Sequence, residues 1–165
     1  MLIRRLTPED EPFLWKALYY AIHVPPGDTP PPPEVVREPD LACYVVGWMR
    51  RPDDLGFGVE EEGALIGAAW LRRWADQERG YGFVDTSTPE LSIALLPGHR
   101  GHGVGTRLLR CLLSAASDRF AAVSLSVSMS NPARRLYARE GFEVVVEVAG
   151  DSVTMVRQLS GGGAA

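Results

Sequence analysis

A glycine-rich turn between an apolar strand and a leucine-rich helix constrains this chain more than any other feature. The stretch 95–109, LLPGHRGHGVGTRLL, contains three alternating glycines, at positions 101, 103 and 105. Glycine lets the backbone approach a ligand without side-chain clashes. The helix that begins there adds free N–H groups and the positive end of its dipole. The turn therefore predicts a phosphate site, with Arg100 as a further donor.

Two common nucleotide-binding loops fit this turn poorly. A P-loop requires GxxxxGK(S/T), whereas Thr106 directly follows Gly105 here and the required lysine is missing. A dinucleotide loop requires GxGxxG and an acidic residue about 20 positions further on. The spacing here is GxGxG, and the following strand ends in SMS without a carboxylate. Both nucleotide interpretations are weakened.

The remaining patterns predict an α/β fold in which helices cover one mixed sheet. In chain order the predicted elements are the strand LIRRL, the helix TPEDEPFLWKALYYAI capped by Thr7, the short helix LACYVVGWM, the hairpin LGFGVEEEGALIGAAWLRRW, the strand ELSIALL, a helix over 103–119, the strand AAVSLSVSM, the helix NPARRLYARE capped by Asn131, and the hairpin FEVVVEVAG with DSVTMVRQL. The proline-rich stretch over 23–40 predicts an extended surface loop, either a pocket wall or a mobile linker.

Composition limits the function classes. With 165 residues, of which 45% are hydrophobic and 23% charged, the chain suits a single domain over 1–159 with a flexible tail over 160–165. A net charge of -4 argues against nucleic-acid binding. The N-terminus lacks a signal pattern, and no apolar run approaches the roughly 18 residues of a membrane span. Cys43 and Cys111 lack any zinc or disulfide spacing, so a reduced cytoplasmic location is expected.

Three segments together resemble a known family. RGHGVG at 100–105 resembles the pyrophosphate-binding signature of the GCN5-related N-acetyltransferases, the GNAT superfamily, in which arginine or glutamine is followed by xxGx and then glycine or alanine. The preceding LSIALLP is similar to the strand before that turn. Downstream, SVSMSNPARRLYAREGF is similar to a second family motif. These segments have the family's order and spacing across 90–142.

The resemblance implies transfer of an acetyl group from acetyl-coenzyme A to an amine of a small molecule or peptide. The implied fold is a mixed, mostly antiparallel sheet flanked by helices, with two parallel central strands splayed to admit the cofactor. These strands would be ELSIALL and VSLSV. Transfer would be direct within a ternary complex, because neither cysteine falls in a recognised motif. A homodimer is left open, since no sequence feature decides it.

The resemblance also assigns cofactor-binding residues. The turn would bind the pyrophosphate, the strand before it would pair with the pantetheine arm through its backbone, and two later residues would contact the cofactor. In that order they are Arg100, Gly101, His102, Gly103, Val104, Gly105 and Thr106; Ile93, Ala94 and Leu95; and Asn131 and Tyr137. A metal is not expected, because His99 and His102 match no zinc spacing.

Two residues are candidates for proton transfer. Tyr137 matches the family tyrosine whose hydroxyl reaches the coenzyme A sulfur, and a phenol of pKa about 10 stays protonated at neutral pH. Glu90 is the leading base, although it lies one position from the expected register and requires a bulge to face the site. Asp85 and His23 are alternative bases, and a further alternative is a mechanism without a dedicated base.

The acceptor pocket is expected to draw on the first ninety residues. Candidate acceptor-site residues are Tyr20, His23, Trp70 and Asp85. Core or rim packing is the default for the aromatic ones. Two other functions compete: a catalytically idle module that binds acyl-coenzyme A, and a nucleotide-binding protein that uses the same turn.

Overall fold

The computed structural model describes residues 1–75, 77–147 and 150–159. The predicted flexible tail lies outside these residues. The described residues form seven strands and four α-helices, in this order: β1 Leu2–Arg5, α1 Glu11–Ala21, α2 Pro39–Ala42, β2 Leu55–Glu61, β3 Ala64–Arg72, β4 Glu90–Leu95, α3 Val104–Ala116, β5 Ala122–Ser128, α4 Ala133–Arg139, β6 Glu143–Glu147 and β7 Ser152–Gln158. Short 3-10 turns at Pro8–Asp10 and Pro33–Arg37 precede α1 and α2.

All seven strands form one sheet, in the order β1-β2-β3-β4-β5-β7-β6. Every neighbouring pair is antiparallel except β4 with β5. The predicted mixed, mostly antiparallel sheet is therefore confirmed. The final hairpin pairs with β5 through its second strand, so β6 becomes an edge of the sheet.

Helices cover both faces of the sheet. On one face of the sheet, the leucine-rich helix α3 buries Leu108, Leu109 and Leu112 completely. On the other face α1 buries Leu14 in a second core that includes Trp70 of β3. Successive residues of a strand point to opposite faces, so Leu71 joins the α3 side while Trp70 joins the α1 side.

The predicted second helix, LACYVVGWM, is wrong in extent. The α-helix ends at Ala42, and the chain continues in turns with positive φ at Gly47 and Met49. A buried arginine explains the difference: Nη1 of Arg72 donates to the carbonyls of Cys43 at 3.0 Å and Val46 at 2.7 Å. These carbonyls accept hydrogen bonds from a side chain of β3 rather than from the N–H groups of a continuing helix.

Arg72 is balanced by a buried carboxylate. Its Nε and Nη2 donate to the two oxygens of Asp54 at 3.1 and 2.8 Å, and the two side chains are 1% and 0% exposed. A bidentate pair of this kind fixes both partners in one geometry. The pair therefore anchors the segment after α2 against the sheet.

The first helix also begins later than predicted. Thr7 precedes a 3-10 turn, and the α-helix starts at Glu11. The capping interaction is nevertheless present, because the Thr7 N–H donates to the Asp10 carboxylate at 2.7 Å. The predicted hairpin of β2 and β3 is confirmed, with Glu62 and Gly63 both at positive φ in its turn.

Candidate active site

The glycine turn leaves a row of backbone donors free. Gly101 and Gly103 have φ of 84° and 76°, in the left-handed region that favours glycine. Within the described residues, no N–H from position 100 to 106 donates to a protein acceptor; the first that does, from Arg107, reaches the Gly103 carbonyl at 3.2 Å. A Cβ added at either glycine would meet nothing within 4 Å. The turn is thus an open nest of N–H groups at the start of α3.

Arg100 is exposed, and no side chain of the turn is acidic. Nε of Arg100 donates to the Leu95 carbonyl and its Nη2 to the Tyr20 carbonyl, each at 3.3 Å. His102 is exposed and Thr106 is half-buried. The first turn of α3 carries no carboxylate. Its charge pattern therefore suits an anion.

The two parallel strands part immediately after they pair. Among the described residues β4 and β5 register only at Glu90 with Ser124, where the Ser124 N–H donates to the Pro89 carbonyl at 3.0 Å. A cavity of about 170 Å³ opens beyond this point, between Ile93 of β4 and Val127 of β5. The edge of β4 that faces β5 is consequently available to an extended ligand.

Tyr137 borders this cavity from α4. Its ring is 8% exposed and packs edge-to-face on Phe142, with centroids 5.9 Å apart. Burial raises the pKa of Tyr137 to about 12, so the hydroxyl keeps its proton at neutral pH. Asn131 also borders the cavity, and its Oδ1 accepts the Ala133 N–H at 2.9 Å. Asn131 thereby caps α4 as predicted, and its amide nitrogen is left free.

Glu90 lies on the same cavity, 3% exposed. Its Oε2 accepts the Tyr44 hydroxyl at 2.6 Å, and its Oε1 accepts Nε1–H of Trp74 at 3.0 Å. Burial raises the pKa of Glu90 to about 7, although both hydrogen bonds and one from the Gly82 backbone oppose that rise. No bulge interrupts β4 in its pairing with β3, so the expectation that Glu90 requires one is wrong. Glu90 lies on the α1 face of the sheet, as Ala94 does, by the ordinary alternation of a strand, and its side chain reaches the cavity from there.

Tyr44 links Glu90 to the cavity mouth. Its hydroxyl oxygen also accepts the Tyr81 N–H at 2.7 Å, and the Tyr81 hydroxyl donates to Asp40. Burial, followed by the nearby Glu90 charge, raises the pKa of Tyr44 well above its usual range, so Tyr44 acts as a donor. Tyr44 is 46 residues from Glu90 and has no motif around it, so the sequence contains no signal for this contact.

The lining of this cavity does not include the four residues expected at the acceptor site. Trp70 is 1% exposed and donates to the Tyr44 carbonyl at 2.9 Å inside the core. Asp85 is exposed, and hydrogen bonds from Ser87 and Thr88 lower its pKa. Tyr20 packs edge-to-face on Tyr19, and His23 follows α1 half-buried. The residues of α1, α2 and their ends that border the cavity are instead Leu18, Ala21, Ile22 and Leu41.

The described residues contain no group of three or more histidine, cysteine or acidic side chains able to hold a metal ion. The described helices also include none with the length and apolarity that crossing a membrane requires.

Solved structures share this fold. A ribosomal-protein-alanine N-acetyltransferase from Brucella melitensis superposes with a TM-score of 0.65 at 23% identity, covering 96% of this chain and 100% of its own. The protein yncA from Salmonella typhimurium, solved with its cofactor acetyl-CoA, gives 0.67 at 24% identity, covering 97% and 94%. A phosphinothricin acetyltransferase from Sinorhizobium meliloti, in complex with acetyl-CoA, gives 0.67 at 21% identity, covering 99% and 91%.

Sequence comparison gives the family directly. No curated protein matches the chain. The model of the acetyltransferase (GNAT) family, in contrast, matches residues 15–142, which contain the glycine turn, Glu90 and Tyr137. The chain therefore belongs to the GNAT acetyltransferase family.

Proposed function

We propose that this protein transfers an acetyl group from acetyl-CoA directly to a primary amine of a small molecule or peptide. One observation carries the proposal: a single cavity between β4 and β5 is bordered by Glu90, with a raised pKa, and by the protonated hydroxyl of Tyr137. Acetyl-CoA, when bound, supplies an activated acetyl group on a thioester. The residues of this chain bind the two reactants and move the protons.

The residues fit the donor at both ends. The unpartnered N–H groups from Arg100 to Thr106 would hold the pyrophosphate, since they converge where α3 begins. The open edge of β4 from Ile93 to Leu95 would pair with the amide groups of the pantetheine arm. Asn131 would contact the cofactor through its free amide nitrogen.

Glu90 would accept the proton of the attacking amine. A carboxyl with pKa about 7 is half ionised near neutral pH, where a general base is most effective. Tyr44 and Trp74 hold both oxygens in place. Tyr137 would hold a proton on its hydroxyl for the departing thiolate.

Direct transfer is supported by the positions of the cysteines. Burial raises the pKa of Cys43 to about 11, which opposes formation of the thiolate that a covalent route requires. Cys111 lies on α3, and neither cysteine borders the cavity in the described part of the chain. Among the described residues, an acyl-enzyme formed on cysteine therefore has no candidate nucleophile at the cavity.

Thermal unfolding tests the donor site. A ligand at 100 times its dissociation constant adds about 2.7 kcal/mol, which raises the Tm of a domain of this size by roughly 5–11 °C. We expect that rise with acetyl-CoA and not with ATP or NAD. No rise with acetyl-CoA, beside a clear one with ATP or NAD, would overturn the proposal.

Thiol release tests the chemistry. We expect coenzyme A release to depend on an added amine and to fall by about 100-fold or more in Glu90→Gln. Binding of acetyl-CoA without release across a broad amine panel would instead identify a catalytically idle acyl-CoA-binding module.

A further inference from the structure

Beside the polar side chains of Glu90, Ser92, Ser126 and Asn131, the cavity has one apolar wall. Its wall is formed by the end of α1 and by α2, which contribute Leu18, Ala21, Ile22 and Leu41. The rings of Tyr44 and Tyr81 complete it. Such a wall favours an acceptor whose body is hydrocarbon, because burial of apolar surface contributes about 25 cal/mol per Å².

Charge in the cavity has one sign. Glu90 is the charged side chain that borders it, and no arginine or lysine does so within the described residues. An acceptor carrying a carboxylate or phosphate would lose its water beside Glu90 without gaining a counterion. An ammonium group, in contrast, would approach a carboxylate that already faces it.

The segment that ends in α2, which contributes Leu41 to the cavity, carries mostly the same sign of charge. Residues 23–42 contain four carboxylates, of Asp28, Glu34, Glu38 and Asp40, against the single arginine Arg37. Arg37 is occupied, since its guanidinium stacks 3.8 Å above the Trp15 ring. Asp40 is held at the mouth by the Tyr81 hydroxyl. The approach to the cavity therefore attracts cations and repels anions.

We propose that the acceptor is a monoamine with an apolar body that carries no carboxylate or phosphate. This inference rests on the proposed function. It separates simple alkyl and aryl amines from free amino acids, which present the same amine beside an anionic group.

Three matched amines test it by thiol release with acetyl-CoA: phenethylamine, phenylalaninamide and phenylalanine. The amide matches the carboxylate in size without its charge. We expect kcat/KM to be about 100-fold higher for phenethylamine than for phenylalanine, with the amide at least about 10-fold above phenylalanine. Equal kcat/KM for phenylalanine and its amide would overturn the inference.

Two further outcomes of the same assay distinguish failure of this inference from failure of the proposed function. Release with spermidine or a peptide N-terminus, but with none of the three matched amines, would refute the apolar monoamine and leave the acetyltransferase proposal standing. Absence of release with every amine would refute both.

A charge introduced in the wall provides a second test. Leu41→Arg places a guanidinium at the cavity and should raise the kcat/KM ratio of phenylalanine to phenethylamine by about 10-fold. Val46→Arg is the matched control, because it adds the same charge to the same segment at a residue 51% exposed and outside the cavity lining. An unchanged ratio in a folded Leu41→Arg protein would contradict the inference. If that variant fails to fold, the comparison of the three matched amines with the wild-type enzyme still tests the inference.

Discussion

Replacing Tyr44 by phenylalanine removes one hydrogen bond from Glu90 and leaves the ring in place. The lost bond is 2.6 Å long and ends on a carboxylate oxygen. A hydrogen bond to a charged group contributes about 1.5–3 kcal/mol, and about 1.4 kcal/mol corresponds to one pH unit. Because the bond stabilises the ionised form, its loss should raise the pKa of Glu90 from about 7 by roughly one to two further units.

The pH dependence of kcat/KM measures this change, since it reports ionisations of the free enzyme. The ionised form of Glu90 is the base, so activity rises with pH through its pKa. In Tyr44→Phe that rise should move to higher pH, which lowers kcat/KM by about 10- to 100-fold at pH below 7 and preserves the plateau above the new pKa. The same amine is used for both enzymes, so its own ionisation cancels in the comparison.

Tyr19→Phe is the matched control. The Tyr19 hydroxyl donates to the Pro31 carbonyl at 2.7 Å and makes no bond to Glu90. Its removal should leave the profile in place. Superimposable profiles for wild type and Tyr44→Phe would refute the assignment of Glu90 as the base held by Tyr44. A uniform loss at every pH, with a lowered Tm, would point to a structural role only.

Three further predictions test other parts of the molecule. Tyr137→Phe should lower turnover by about 10- to 1000-fold while the Kd for acetyl-CoA from titration calorimetry changes little, and unchanged turnover would remove Tyr137 from the mechanism. Gly103→Ala should weaken acetyl-CoA binding, because its Cβ would enter the open nest; Gly27→Ala, at a similar φ of 89° and also in open space, should cost the same roughly 1 kcal/mol of strain without affecting Kd. Asp54→Asn should lower the free energy of unfolding by about 3–5 kcal/mol in a urea titration, because it leaves a guanidinium buried and unpaired. Glu140→Gln breaks an ion pair with the exposed Arg110 and should lower the free energy of unfolding far less, and similar losses in both variants would contradict the buried-charge argument.

Local sequence patterns predicted the elements that carry the donor site. Local patterns indicated the hairpin of β2 and β3 and the helix α3 after the glycine turn. The spacing of the glycines predicted free N–H groups before that helix, and Asn131 was expected to cap α4. Each of these features depends on neighbours within a few residues, so the chain alone contains the information.

The second helix and the acceptor side depended on contacts across the chain. Arg72 ends α2 early by binding the carbonyls of Cys43 and Val46, which lie 29 and 26 residues away. The hydrogen bond from Tyr44 to Glu90 likewise joins residues that are far apart in the chain. Trp70, which was expected to line the acceptor pocket, is buried in the core. Such contacts leave no period or spacing in the sequence.

The family and the turn that would hold a pyrophosphate could both be predicted from the sequence, because a backbone nest requires glycines at fixed spacing beside a helix start. The environment of Glu90, in contrast, depends on how the chain folds. Its burial against Tyr44 and Trp74, which raises its pKa to about 7, arises where three distant segments pack together. The desolvation that prepares a carboxylate as a base is a property of that packing and of no single segment.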